Sequence, residues 1–186
     1  AVPAFATGIW PDDKMPPLND DWAPRTTDPV LYVIGPDRQA KLKTWIWSEN
    51  SEASPVPPLG ATYNLVGSFF DVFVELEIDG TEYTPTSPGQ IEFSMTCISD
   101  EAAKRIFNNE LLRVGTEGAW ALYITDDIAL RESPTIASTG QTTITNAGSG
   151  YHIDSFFDVF TELSIDGGQT WTPSNQPIQI YLYPEP

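Results

Sequence analysis

One segment of this chain occurs twice, and this repetition limits the folds that the chain can adopt. Residues 67–85, called repeat A, read GSFFDVFVELEIDGTEYTP, and residues 154–173, repeat B, read DSFFDVFTELSIDGGQTWTP. The SFFDVF phrase of repeat A recurs 87 positions later in repeat B. A match of this length indicates a duplicated module, or one fold with two related halves. Two copies are too few for a solenoid or a propeller.

Both repeats alternate apolar side chains with other side chains. The apolar positions are Phe70, Val72, Val74, Leu76 and Ile78 in repeat A, and Phe157, Val159, Leu163 and Ile165, with Thr161 among them, in repeat B. A period of two predicts a strand with one face in a core. The opposite face is aromatic and acidic, so we expect a loop, the N-terminal arm or a partner chain to cover half of it.

Turn signals and further strand signals surround the repeats. Asp79-Gly80 and Asp166-Gly167 predict hairpin turns, since glycine adopts positive φ at low cost. Six other segments, rich in β-branched and aromatic residues, are predicted strands: 30–34, 42–47, 91–97, 119–125, 142–146 and 178–183.

One segment predicts a helix instead. Ser99 is a suitable N-cap, and Gly115 is a natural stop. Between them, apolar residues recur at helical spacing at Ala103, Ile106, Phe107, Leu111 and Val114. We therefore expect one short helix near 100–113 in a mainly β fold, an antiparallel β-sandwich or jelly roll built from two related halves, at about 30–98 and 116–186.

Two short patterns resemble known motifs. Residues 164–171 match S-x-D-x-G-x-T-W and resemble an Asp-box, a hairpin in which the aspartate side chain bonds turn amides. Repeat A departs from that pattern, with Glu77 and Tyr83 in place of the serine and the tryptophan. The phrase SFFDVFxELxIDG is similar to stretches of secreted bacterial surface β-proteins. The resemblance implies an architectural role at an extracellular location and no catalytic residue.

Residues 1–29 predict an extended, proline-rich arm in front of a β-domain at 30–186. Proline fixes φ and lacks an N–H, so this stretch is poorly suited to a helix. It also holds Phe5, Trp10 and Trp22, which a solvated linker does not need. Two alternatives stay open. The arm wraps around its own domain, or it packs on a neighbouring subunit by strand addition or exchange.

Charge excludes several partners. The chain has 26 acidic and 9 basic residues and a net charge of −17, which disfavours nucleic-acid backbones and anionic membrane surfaces. No apolar run approaches the roughly 20 residues that cross a bilayer. Low lysine content and a start at Ala1, as after removal of a leader, favour a secreted or cell-surface protein.

No catalytic constellation is predicted. His152 and Ser155, three positions apart on a strand, face opposite ways, so they do not form part of a hydrolytic triad. Cys97 lies in an apolar run and is interpreted as a buried hydrophobic residue. We therefore assign no catalytic, cofactor-binding or metal-binding residue.

Carboxylates recur in the two repeats, at Asp71 and Glu75 and at Asp158 and Glu162. A glycosidase pair is disfavoured because matched acids in both halves suggest a shared structural task. No cofactor is predicted. An acidic chain can supply the six to eight oxygen ligands of a calcium ion from its loops, although no D-x-[DN]-x-[DN]-G run is present.

These observations predict a non-enzymatic, extracellular structural subunit that self-assembles into a filament, tube or surface layer through its N-terminal arm. Its partners are then copies of itself. The alternative is a carbohydrate-binding or accessory module of a secreted glycan-degrading system, which binds surface glycans through some of six tryptophans: Trp10, Trp22, Trp45, Trp47, Trp120 and Trp171. A capsid jelly roll shares the assembly logic, but a charge of −17 disfavours packaging of nucleic acid.

Overall fold

A computed structural model describes residues 9, 13, 20–24, 29–48, 55–85, 89–116 and 121–183. These residues contain fourteen β-strands and no helix. The strands are β1 (Asp20–Pro24), β2 (Val30–Gly35), β3 (Arg38–Ser48), β4 (Thr62–Ile78), β5 (Thr81–Tyr83), β6 (Gly89–Glu101), β7 (Lys104–Gly115), β8 (Leu122–Tyr123), β9 (Ala129–Glu132), β10 (Ser138–Asn146), β11 (Tyr151–Val159), β12 (Thr161–Ser164), β13 (Thr172–Pro173) and β14 (Ile178–Tyr183). Within the described part of the chain, no helix is long and apolar enough to cross a membrane.

The strands form two antiparallel sheets. The larger has the order β2-β3-β1-β14-β11-β10-β7-β6-β4-β5, and the smaller has the order β13-β12-β9-β8. In the larger sheet β3 also pairs with β4, so the pairings connect β3, β1, β14, β11, β10, β7, β6 and β4 into a ring. The predicted antiparallel β-sandwich class is confirmed.

One hydrophobic core serves both sheets. Phe93 and Phe157 meet edge to face in it, with ring centroids 5.5 Å apart, and Leu122, Leu130 and Leu163 extend it into the smaller sheet. Buried aliphatic and aromatic side chains are the main source of stability in such a fold. The apolar face predicted for the repeats is confirmed at the buried residues Val74, Leu76, Ile78, Phe157, Val159 and Leu163.

Most predicted strands are present, and most of them are longer than predicted. The segments 30–34, 42–47, 91–97, 142–146 and 178–183 lie within β2, β3, β6, β10 and β14. The segment 119–125 is confirmed only at β8, which has two residues, and residues 119–120 lie outside the described residues.

The predicted helix near 100–113 is wrong. This segment is the end of β6, a turn at Ala102 and Ala103, and most of β7. In β7, buried Phe107 and Leu111 share a face at even spacing. Leu112 has no partner in the register between β6 and β7 and forms a β-bulge. Beyond the bulge, the buried positions of β7 are shifted by one residue, so Val114 is buried. As a result, the buried residues Phe107, Leu111 and Val114 lie four and then three positions apart, which resembles the spacing on a helix.

The two repeats differ in backbone course. Repeat A lies largely within one long strand, β4, which pairs with β6 along its first part and with β3 along its second. Repeat B breaks at Phe160, so that β11 lies in the larger sheet and β12 in the smaller. Duplicated sequence therefore occupies different positions in the two sheets.

The predicted turns after the repeats are present. Asp79 and Gly80 have φ values of 50° and 79°, and they join β4 to β5 as a two-residue hairpin. Positive φ at both positions is the geometry that matches the twist of paired strands. Gly167 and Gly168 follow Asp166 with φ values of 70° and 86°.

Candidate assembly site at the N-terminal strand

The candidate site is built around β1, the described strand of the N-terminal arm. One edge of β1 pairs with β14, from Asp21 opposite Tyr183 to Pro24 opposite Ile180. The other edge pairs with β3, from Asp20 opposite Ser48 to Trp22 opposite Ile46. This five-residue strand is thus hydrogen-bonded on both sides.

The position of β1 decides how the larger sheet closes. In the ring of described strands, β1 is the one strand that lies between β3 and β14. Without β1, each of them would present unpaired N–H and C=O groups along the same gap. Unpaired strand edges of this kind are the surfaces to which extended segments add as strands.

An aromatic pair with one exposed ring lies beside β1. Phe156 of β11 stacks on Tyr181 of β14 with ring centroids 6.0 Å apart, and 37% of Phe156 is exposed. Tyr181 is also the partner of Ala23 in β1. The second face of repeat B is therefore covered unevenly, because Phe156 is exposed whereas Glu162 is buried.

A second contact links the arm to the domain. Asp13 forms an ion pair with Arg105, near the start of β7. Both residues line a cleft of about 230 Å³ beside the turn between β6 and β7. No local sequence pattern marks this contact, because the two residues lie 92 positions apart.

The turn after β12 is held by the side chain of Asp166. Its carboxylate accepts hydrogen bonds from the backbone N–H groups of Gln169 and Thr170, at 3.0 and 2.9 Å, and from the hydroxyls of Thr170 and Ser164. These donors, led by the Thr170 hydroxyl, lower the pKa of Asp166 to about 2. The role is structural, and the likeness to an Asp-box stays a prediction.

Trp171 is the one tryptophan whose side chain lies among the described residues. Its Nε1 donates to the Gly168 carbonyl at 3.0 Å, and the Arg131 guanidinium lies 4.0 Å from its ring centroid. Arg131 in turn donates to Glu162 from Nε and Nη2, at 3.0 and 2.5 Å. A glycan platform made of several tryptophans stays a prediction.

His152, Ser155 and Cys97 form no constellation. The Ser155 hydroxyl is buried and hydrogen-bonded to Thr142 at 2.7 Å, and Thr142 also accepts from Asn109 at 2.6 Å. Strand alternation directs His152 to the opposite face of β11. Burial raises the pKa of the Cys97 thiol above its ordinary value, which makes it a poor nucleophile.

The duplicated carboxylates do not share an environment. Glu75 is exposed on β4, whereas its counterpart Glu162 is buried in an ion pair. Asp158 accepts a hydrogen bond from Gln179 at 2.9 Å, and the side chain of Asp71 lies outside the described residues. No three acidic, histidine or cysteine side chains in the described ranges are grouped so as to hold a metal ion.

A carboxylate that the sequence did not single out lies where repeat B changes sheet. Glu132, the last residue of β9, accepts a hydrogen bond from the Ser138 hydroxyl, which also accepts the N–H of Phe160. Burial, with Glu110 and Glu162 nearby, raises the pKa of Glu132 to about 7. No local motif marks such a residue, because the tertiary structure supplies its surroundings.

Comparison of the chain with protein-family models, with curated proteins and with solved structures finds no match.

Proposed function

We propose that this protein is a non-enzymatic, extracellular structural subunit that assembles into a filament, tube or surface layer by exchanging its N-terminal strand. The observation that carries the proposal is the position of β1, a strand of a terminal arm inserted between β14 and β3. In the assembly, β1 of one copy fills the gap between β14 and β3 of the next.

Exchange costs little because the incoming strand makes the same backbone hydrogen bonds that it makes within one chain. A contact of this kind is heterologous, since arm and gap are different surfaces. Heterologous contacts that do not close into a ring propagate as open polymers. The low number of basic residues is consistent with an extracellular address, which fractionation of the source cells tests directly.

A disulfide lock tests strand exchange on the full chain. Ala23 and Tyr181 are partners across β1 and β14, so the pair Ala23→Cys and Tyr181→Cys, in a Cys97→Ala background, can staple β1 to its own domain. The oxidised monomer is expected to stay monomeric in light scattering and electron microscopy. The reduced protein is expected to assemble.

The same pair reports the exchange after assembly. Oxidation of preformed polymer should link neighbouring chains into a ladder on a non-reducing gel, because arm and gap then belong to different copies. A matched pair at Thr143 and Asp154 staples β10 to β11 and should leave assembly unchanged. If the locked monomer assembles at the rate of the reduced protein, strand exchange is wrong.

One observation favours glycan binding as a second candidate function. The Tyr123 hydroxyl and the Trp171 ring approach Gly168 from the same side, and a Cβ atom at Gly168 would lie 3.6 and 3.5 Å from them. Tyr123 is 48% exposed, and exposed aromatic rings stack on sugars. A glycan array supports this function if specific binding is lost in Tyr123→Ala and not in Tyr63→Ala, which removes an exposed tyrosine elsewhere.

A further inference from the structure

The ion pairs of the described residues fall into two kinds. Three of them join residues directly opposite each other on adjacent strands: Lys41–Glu77, Arg113–Glu92 and Arg131–Glu162. A fourth, Arg38–Asp79, joins the start of β3 to the turn that follows its neighbour β4. Arg105–Asp13 is different, because it ties the domain to a residue of the arm.

The choice of partner at Arg105 is informative. Asp100 lies directly opposite Arg105 across β6 and β7. In each of the three cross-strand ion pairs, the carboxylate belongs to the residue directly opposite the basic one. Arg105 nevertheless pairs with Asp13. The guanidinium therefore serves the arm and does not staple the hairpin.

The surroundings of Arg105 suit an incoming carboxylate. The cleft has small residues, Ala102 and Ala103, at the turn, and Lys104 lies beside Arg105. Asp100 and Glu101 also line it, so the site favours a single added carboxylate over a highly charged anion. In a chain with 9 basic and 26 acidic residues, two adjacent cations form a rare anchor for acidic segments.

We propose that this cleft is a second docking site for the arm of a neighbouring copy, and that it binds the carboxylate of that copy's Asp13. The inference rests on the strand exchange proposed above. Within one chain, Asp13 occupies the cleft of its own domain. In the assembly, β1 and Asp13 move together to the next copy, so that two linked contacts hold each arm on its neighbour.

Charge reversal in two separate proteins tests the exchange of this contact. Asp13→Arg and Arg105→Asp each place like charges in the cleft, and each protein alone should assemble about tenfold more slowly than wild type. An equimolar mixture should recover assembly within about twofold of wild type. In an alternating polymer, every arm then meets a cleft of opposite charge.

Matched controls separate position from net charge. Asp12→Arg, next to Asp13 in the sequence, and Lys43→Asp, at an exposed position of β3 outside the cleft, change the net charge by the same amounts and should assemble within about twofold of wild type. Asp13→Asn, on the arm, removes the carboxylate without threatening the fold and should also slow assembly. Circular dichroism and thermal melting of each monomer identify any variant that is misfolded.

The outcomes distinguish this inference from the function on which it rests. If wild type assembles and the mixture is as slow as its two components, Asp13 binds only within its own chain and the docking site is wrong, whereas strand exchange stands. If wild type stays monomeric under all conditions, both proposals are overturned. Normal assembly of Asp13→Asn also overturns the docking site.

Discussion

The Ser138 hydroxyl donates a 3.0 Å hydrogen bond to the carboxylate of Glu132 at the point where the chain passes from β11 to β12. The same hydroxyl accepts the N–H of Phe160, the residue between those strands, at 2.9 Å. The Phe160 carbonyl accepts the N–H of Ser133 at 2.8 Å. Three side-chain and backbone contacts thus hold the change of sheet.

This junction predicts a specific dependence of stability on pH. The pKa of Glu132 is raised to about 7 in the folded protein, so the folded state binds more protons than the unfolded state between about 4.5 and 7. Its stabilising contribution is complete below that window and is lost as the pH rises through about 7. Allowing for solvent screening, the loss is roughly 1–2 kcal/mol.

Urea denaturation at pH 5 and pH 8 measures this loss. Between pH 5 and pH 8, the free energy of unfolding of wild type should fall by roughly 1–2 kcal/mol more than that of Glu132→Gln, because glutamine does not titrate. Glu82→Gln removes an exposed carboxylate on β5 and serves as the control for net charge. Equal pH dependence in wild type and Glu132→Gln would contradict the prediction.

The ion pair between Arg131 and Glu162 should contribute strongly to stability. Glu162 is 7% exposed, so Arg131→Met leaves a buried carboxylate without its partner, at a cost of about 2–4 kcal/mol in the free energy of unfolding. Addition of Glu162→Gln should recover much of that loss. Thermal melting of the single and double variants measures both effects.

Lys41→Met provides the matched comparison. It breaks an ion pair with Glu77 in which both side chains are well exposed, so the expected cost is at most about 1 kcal/mol. A larger cost for Lys41→Met than for Arg131→Met would show that burial does not set the contribution of these pairs.

Gly140 is predicted to tolerate no side chain. A Cβ atom there would lie 2.0 Å from the carbonyl oxygen of Phe156 and 3.1 Å from Cα of Phe157, and backbone cannot easily move aside. Gly140→Ala should destabilise the protein by about 3 kcal/mol or more. Gly35→Ala, where the nearest atoms lie 3.9 Å away, is the control and should melt near wild type.

The turn that follows β12 should depend on the Asp166 carboxylate. In Asp166→Ala, the N–H groups of Gln169 and Thr170 lose their acceptor, and their hydrogen exchange should become several-fold faster. Asp154→Ala, which changes an exposed residue of β11, should leave both rates unchanged. Because the pKa of Asp166 is lowered to about 2, its contribution is present above about pH 4 and is lost as the pH falls through 2.

Local patterns predicted much of the fold. Asp79-Gly80 predicted its hairpin because a two-residue turn with two positive φ angles requires residues that adopt them. Alternation predicted the buried face at Leu76 and Leu163 because a strand directs successive side chains to opposite faces. The helix near 100–113 was wrong because the bulge at Leu112 is set by pairing with β6, which spacing alone does not reveal.

Local sequence patterns are enough to predict antiparallel strands and a duplicated strand and turn, since alternation and glycine conformation are properties of neighbouring residues. What surrounds each copy of the repeat follows only from how the strands pack together. The tertiary structure exposes Glu75 and buries Glu162, and it sets the Asp13 carboxylate against Arg105. It also inserts β1 between β14 and β3. These outcomes depend on strands distant in sequence, because burial and charge pairing are properties of what packs against a residue.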